Sequence, residues 1–148
     1  MPDQELIDGL IATYRELNTK VRPMPEDRLR ITGGDAGSVR DVVSRLRDSE
    51  LRFSQALKER ITGVPMPEMF GEGDAPVVGT EGASDTTAAV LSQFGTARES
   101  TLAMLRTLPE EDWDLQVEGG QPLRMRIRQL HDNDRRQMER IVSLLGSP

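Results

Sequence analysis

The chain has 148 residues, with 25 acidic against 19 basic side chains, one histidine and no cysteine, for a net charge of −6. Without cysteine there is no disulfide, thiolate zinc site, cysteine-ligated iron–sulfur cluster or cysteine nucleophile. The acidic balance argues against a general attraction to nucleic acid or anionic membrane, and an aromatic content of 3% leaves too few rings for a base-stacking platform.

A chain of this length fits one domain, residues 1–148, large enough to bury about 70% of the surface its unfolded form exposes. The N-terminus "MPDQELIDGL" has no basic region followed by an apolar one, and no apolar run approaches a membrane span. A cytoplasmic location is expected. Four segments carry the helical period. The first runs from about Asp3 to Val21, with Leu6, Ile7, Leu10, Ile11, Tyr14, Leu17 and Val21 in one stripe. The second opens at "SVRD", where Ser38 can accept from the backbone N–H of Asp41 and Asp41 sits at the positive end of the helix dipole. Its stripe is Val39, Val42, Val43, Leu46, Phe53, Leu57 and Ile61, and Gly63 stops it.

Residues 63–83, "GVPMPEMFGEGDAPVVGTEGA", hold three prolines and five glycines and cannot be helical. A packed surface loop, pinned by Met66, Met69, Phe70, Val77 and Val78, is expected ahead of a disordered segment or a substrate lid. The third helix begins near "SDTT" and presents Val90, Leu91, Phe94, Leu102 and Leu105. The fourth opens at Pro122, a favoured first helical position, and presents Leu123, Ile127, Leu130, Met138, Ile141 and Leu145.

An internal repeat organises these segments. "RPMPEDRLRI" (22–31) matches "RTLPEEDWDL" (106–115) at an offset of 84, and the flanking helices align at the same offset without gaps. Leu10 falls on Phe94, Leu29 on Trp113, Leu46 on Leu130 and Glu50 on Asp134. Each half reads as helix, Pro-Glu turn, short linker, helix. Neither hairpin can hide its apolar stripe alone, so the expected fold is all-α: a four-helix bundle of two pseudo-repeated hairpins.

The segments "SVRDVVSRLRDSE" (38–50), "TLPEEDWD" (107–114) and "PLRMRIRQLHDNDRRQMERI" (122–141) resemble those of the DinB-like four-helix bundles, a superfamily that includes mycothiol-dependent maleylpyruvate isomerase domains. The resemblance spans most of the chain outside 63–83. It implies a bacterial cytosolic protein, often dimeric, and a divalent metal held by three histidines, one in helix two and two spaced four apart in helix four. Residues i and i+4 share a helix face, which is why that spacing lets two imidazoles converge on one ion. Those positions fall on Arg45, Asn133 and Gln137 here. Amide oxygens are poor ligands for zinc or nickel, and a guanidinium repels a cation. His131 cannot substitute, because two residues carry it about 200° around the helix from Asn133. No metal and no cofactor are expected.

Glu50 and Asp134 lie on or beside the apolar stripes. They are expected to pair with Arg45 in a salt bridge that replaces the metal, in preference to serving as an acid/base couple. His131 has three readings, as a base, as an exposed residue, or as a core-edge residue resting on Ile127, and the catalytic one is the minority. The six arginines of "RMRIRQLHDNDRRQMER" are interleaved with Asp132, Asp134 and Glu139, so local pairs on a solvated face are expected. Trp113 is read as a plug at one end of the bundle. "GGDAG" (33–37) lacks the phosphate-loop pattern and is only a weak anion cradle. The functional expectation is a metal-free, non-catalytic DinB-like protein that binds a small, anionic ligand or a protein partner, with a homodimer as its assembly. The alternative is a thiol-dependent transferase or isomerase that uses Arg45 as an anion anchor in the former metal cavity.

Overall fold

A computed structural model of the protein describes residues 3–33, 37–63, 85–114 and 122–146. The described residues are all-helical, with four long helices: α1 (Asp3–Lys20), α3 (Val39–Thr62), α4 (Thr87–Thr107) and α5 (Leu123–Gly146). A single turn, α2 (Glu26–Leu29), follows α1, and a 3₁₀ turn at Glu110–Asp114 follows α4. Among the described residues no helix is long and apolar enough to cross a membrane.

Capping chemistry sets the helix ends. Ser38 Oγ accepts from Asp41 N–H at 3.1 Å and Asp41 Oδ2 accepts from Ser38 N–H at 3.0 Å, a reciprocal pair that begins α3. The same helix ends at Gly63, whose φ of 71° is left-handed backbone open to glycine. Thr86 caps α4 through Ala89 N–H, and α4 stops at Leu108, in extended backbone just before Pro109. The Pro-Glu turn has a further task. Glu26 Oε1 accepts from Thr87 N–H at 2.8 Å, and Oε2 lies 2.9 Å from Thr87 Oγ1 and 2.7 Å from Arg30 Nε. A carboxylate from the first hairpin thus sits on the N-terminus of α4, where the helix dipole favours it. Burial alone would push Glu26 up, but the hydrogen bonds from Thr87 and the Arg30 guanidinium outweigh it and hold the carboxyl below its ordinary value.

Cross-helix contacts fix the topology. Arg47 meets Gln93, Glu50 meets Arg98 and Ser54 meets Ser100, so α3 and α4 run parallel, and they form the most extensive helix pair. Thr13 meets Asp134 and Glu16 meets Arg135, so α1 and α5 are parallel as well. Tyr14 packs on Phe94 while Arg98 reaches the Leu10 carbonyl, which makes α1 and α4 antiparallel. The order is up-down-down-up, and the 24 residues between Thr62 and Thr87 connect opposite ends of the bundle. The expectation for 63–83, with its Met66, Met69, Phe70, Val77 and Val78, lies outside the described residues save for Gly63.

The core has two apolar clusters. One contains Leu17, Val21, Leu29, Val43, Leu46, Leu91, Phe94, Met138 and Ile141, and the other contains Leu6, Leu10, Phe53, Leu57, Leu102, Trp113, Ile127 and Leu130. They define a Leu29 end and a Trp113 end. Because Leu46 shares a cluster with Met138 and Phe53 shares one with Ile127, α3 and α5 run antiparallel. Trp113 is buried and Arg124 lies over its ring, with 5.6 Å from Cζ to the centroid. One stripe residue departs from expectation. Ile61 is 41% exposed.

Candidate functional site

Between the two apolar clusters lies a buried polar layer: Thr13 from α1, Glu50 from α3, Arg98 from α4 and Asp134 from α5, each at most 1% exposed. Arg98 is its centre. Its Nη1 donates to Asp134 Oδ2 at 2.9 Å and to the Leu10 carbonyl at 2.8 Å, and its Nη2 donates to Glu50 Oε1 at 2.8 Å and to Asp134 Oδ1 at 3.0 Å. The Asp134 contact is the bidentate fork that suits a guanidinium. Thr13 Oγ1 donates to Asp134 Oδ2 at 2.8 Å, and Phe94 presents its ring 4.9 Å from Arg98 Cζ. Burial by itself pulls the guanidinium pKa down, but the attraction of Glu50 and Asp134 and their hydrogen bonds push it further up, so Arg98 stays charged at any working pH.

The expected pairing of Glu50 and Asp134 with Arg45 is therefore corrected: the cation that both carboxylates meet is Arg98. A sequence signal for it was present. Arg98 stands four residues from Phe94 and four from Leu102, at the centre of the apolar stripe of α4. An arginine in that register must point inward, and once inside it demands the carboxylates that α3 and α5 carry on their own stripes. The layer is fully enclosed, so its chemistry is structural.

The accessible site lies on the other side of the α3–α5 seam. An open cleft of about 800 Å³ is lined by Arg45, Leu46, Asp48, Ser49, Arg52 and Phe53 from α3, and by Arg126, Gln129, Leu130, Asn133, Arg136 and Gln137 from α5. Arg45, Asn133 and Gln137 thus share one cleft, while Glu50 and Asp134 face inward behind it. The donor set does not fit a divalent metal. Gln137 Nε2 donates to Asn133 Oδ1 at 3.2 Å, so the two amides bond to each other, and four guanidiniums line the same space. Among the described residues no three His, Cys, Asp or Glu side chains converge as a ligand group.

Electrostatically the cleft is opposite in sign to the protein. Among the described residues its lining holds four arginines and one aspartate, and Asp48 is already held by the buried Arg47 at 2.9 Å. Arg126 donates to the neutral Gln129 at 2.8 Å, and Arg52 and Arg136 take no hydrogen-bond or ion-pair partner among the described residues. The local pairs expected along α5 are also corrected. Arg135 reaches Glu16 on α1 and Arg124 reaches Asp114 in the 3₁₀ turn, while Asp134 turns into the core, so the interleaved acids do not neutralise the arginines that face the cleft.

The remaining candidates fall elsewhere. His131 is half-buried on the far side of α5, against Gly9 of α1, where a side chain at residue 9 would overlap its ring. No nucleophile or carboxylate hydrogen-bonds to it among the described residues. Gly33 N–H donates to the Gly37 carbonyl at 2.8 Å, closing that turn on itself, and residues 34–36 lie outside the described residues. Comparison with models of known protein families, with curated proteins and with solved structures found no match.

Proposed function

We propose that this chain is a metal-free, non-catalytic helical bundle of DinB-like arrangement whose α3–α5 cleft binds a small anion. The observation that carries the reading is the charge of the cleft. In a protein of net charge −6, three arginines on its walls, Arg52, Arg126 and Arg136, have no carboxylate partner among the described residues. Concentrating cations in an open hollow costs repulsion unless an anion enters, and a guanidinium fork is suited to carboxylate and phosphate. The volume falls in the range of small-molecule sites. Leu46, Phe53 and Leu130 add apolar wall to the polar lining.

The pseudo-repeated hairpins have support from contacts that recur under the 84-residue offset. Leu10 with Arg98 is matched by Phe94 with Tyr14, and Arg47 with Gln93 by His131 with Gly9. Glu50 and Asp134, themselves 84 apart, meet the same guanidinium. Leu29 and Trp113, also 84 apart, belong to opposite apolar clusters. Each relation fits a two-fold axis passing between α3 and α5.

The test is calorimetric titration with inorganic phosphate and with short carboxylates at low ionic strength, where screening is weakest. Saturable binding at one site is expected, with Arg52→Gln weakening it about tenfold, the lower range for a hydrogen bond to a charged group. Arg52 is exposed, so the variant keeps its fold. Absence of saturable binding, or binding untouched by Arg52→Gln and Arg136→Gln, sinks the proposal.

A further inference from the structure

The cleft also presents a carboxylate. Asp48 on the α3 wall has a side chain 46% exposed, and Arg47 holds it through one oxygen, with Nε and Nη2 donating to Oδ1 at 3.0 and 2.9 Å. Its second oxygen, Oδ2, accepts from no described residue. Arg47 itself is buried, so what the pair offers to the cleft is carboxylate oxygen. Two guanidiniums of the lining flank it. Arg52 follows Asp48 by four residues, the spacing of neighbours on one helix face. Arg136 stands across the seam: Glu50 and Asp134 meet the same Arg98, so in the antiparallel pair the residue two after Asp134 lies at the level of the residue two before Glu50. Neither arginine pairs with Asp48 or with any other described residue. Arg45 has a partner of its own and adds no open charge to the wall.

Resting on the reading of the cleft as an anion site, we infer that its ligand is a small zwitterion of the amino-acid class, with an ammonium beside its carboxylate. The carboxylate takes Arg52 and Arg136, and the ammonium donates to Asp48 Oδ2. A purely anionic ligand leaves that oxygen without a donor and brings a like charge up to it. A purely cationic ligand meets the guanidiniums. A molecule with both charges gives each group a charge-assisted hydrogen bond, and the separation of the two seats fixes its orientation. Ser49 and Asn133 add neutral polar groups to the lining, while Leu46, Phe53 and Leu130 leave apolar wall for the ligand's side chain.

The inference is tested by calorimetric titration with probes that differ by one group: L-alanine against propionate, L-leucine against 4-methylpentanoate, and each amino acid against its N-acetyl derivative. Inorganic phosphate serves as the reference anion. In a site of guanidiniums alone an added ammonium weakens binding, so the sign of the difference is diagnostic. Each amino acid should bind about tenfold tighter than its plain acid, the lower range for a hydrogen bond to a charged group, and the N-acetyl derivative should lose that gain. Asp48→Asn keeps an oxygen that can accept from Arg47. It should bring the amino acid down to the affinity of the plain acid and leave binding of the plain acid intact. Plain acids that bind as tightly as amino acids, or a preference that survives Asp48→Asn, overturn the zwitterion and leave the anion site standing. Saturable binding of phosphate with none of the amino acids does the same. No binding of any probe, phosphate included, overturns both the inference and the anion reading. The probe pairs are read on the unaltered protein, so the inference can fail there whether or not Asp48→Asn folds.

Discussion

Arg98→Met isolates what the buried charge layer contributes. Methionine follows the aliphatic stem of arginine and is a good helix former, so the change removes the cation with little loss of packing. It leaves Glu50 and Asp134, both within 3.0 Å of the lost guanidinium and at most 1% exposed, facing each other and the Leu10 carbonyl. Removing one partner of a buried ion pair costs about 3–5 kcal/mol, against ~5–15 kcal/mol for a whole domain. At roughly 3 °C per kcal/mol the melting temperature should fall by about 10 °C. Urea denaturation followed by circular dichroism, with parallel thermal melts, measures both quantities. Adding Glu50→Gln and Asp134→Asn to Arg98→Met should recover part of the loss, because the buried carboxylates left without their cation are removed. A loss below ~1 kcal/mol, the scale of an exposed pair, refutes the reasoning.

Two further perturbations probe the packing and the hairpin junction. Gly95 of α4 lies against the Tyr14 ring, which a Cβ there would overlap, so Gly95→Ala should destabilise by about 1–3 kcal/mol despite the better helix propensity of alanine. Combining it with Tyr14→Leu should recover most of that loss in a double-mutant cycle. Glu26, held below its ordinary pKa, stabilises the ionised folded state at neutral pH, and that contribution is lost as pH falls through the folded value. The melting temperature of Glu26→Gln should therefore trail the parent near pH 7 and meet it near pH 3.

The helices were legible because their apolar residues obey one period, and the start of α3 was legible because Ser38 and Asp41 stand at cap spacing. The cleft was partly legible: Arg45, Asn133 and Gln137 do share it, although the resemblance that points to them implies metal ligands, which this donor set does not suit. Arg98 was missed because a stripe is read from its apolar members, and a charged residue in register is discounted as a gap. Arg126 and Arg136 were missed for another reason. A sequence shows acids and arginines interleaved along one helix but not how far they diverge around it, so Asp134 counted as a neutralising neighbour when it faces the opposite way. Parallel packing of α3 on α4 has no local signature, since it depends on where the 24 intervening residues return the chain.

The polar layer also bears on the order in which this protein becomes itself. Its four members are drawn from four helices, and Thr13 and Asp134 are 121 residues apart. With α3 and α4 packed, Arg98 can already grip Glu50, while α1 still lacks its parallel neighbour. Only when α5 packs does the guanidinium acquire its fork and Thr13 a carboxylate to donate to. Long-range closure of this kind is slow and late. Until Asp134 is seated, the cation in the middle of the bundle holds one carboxylate instead of two.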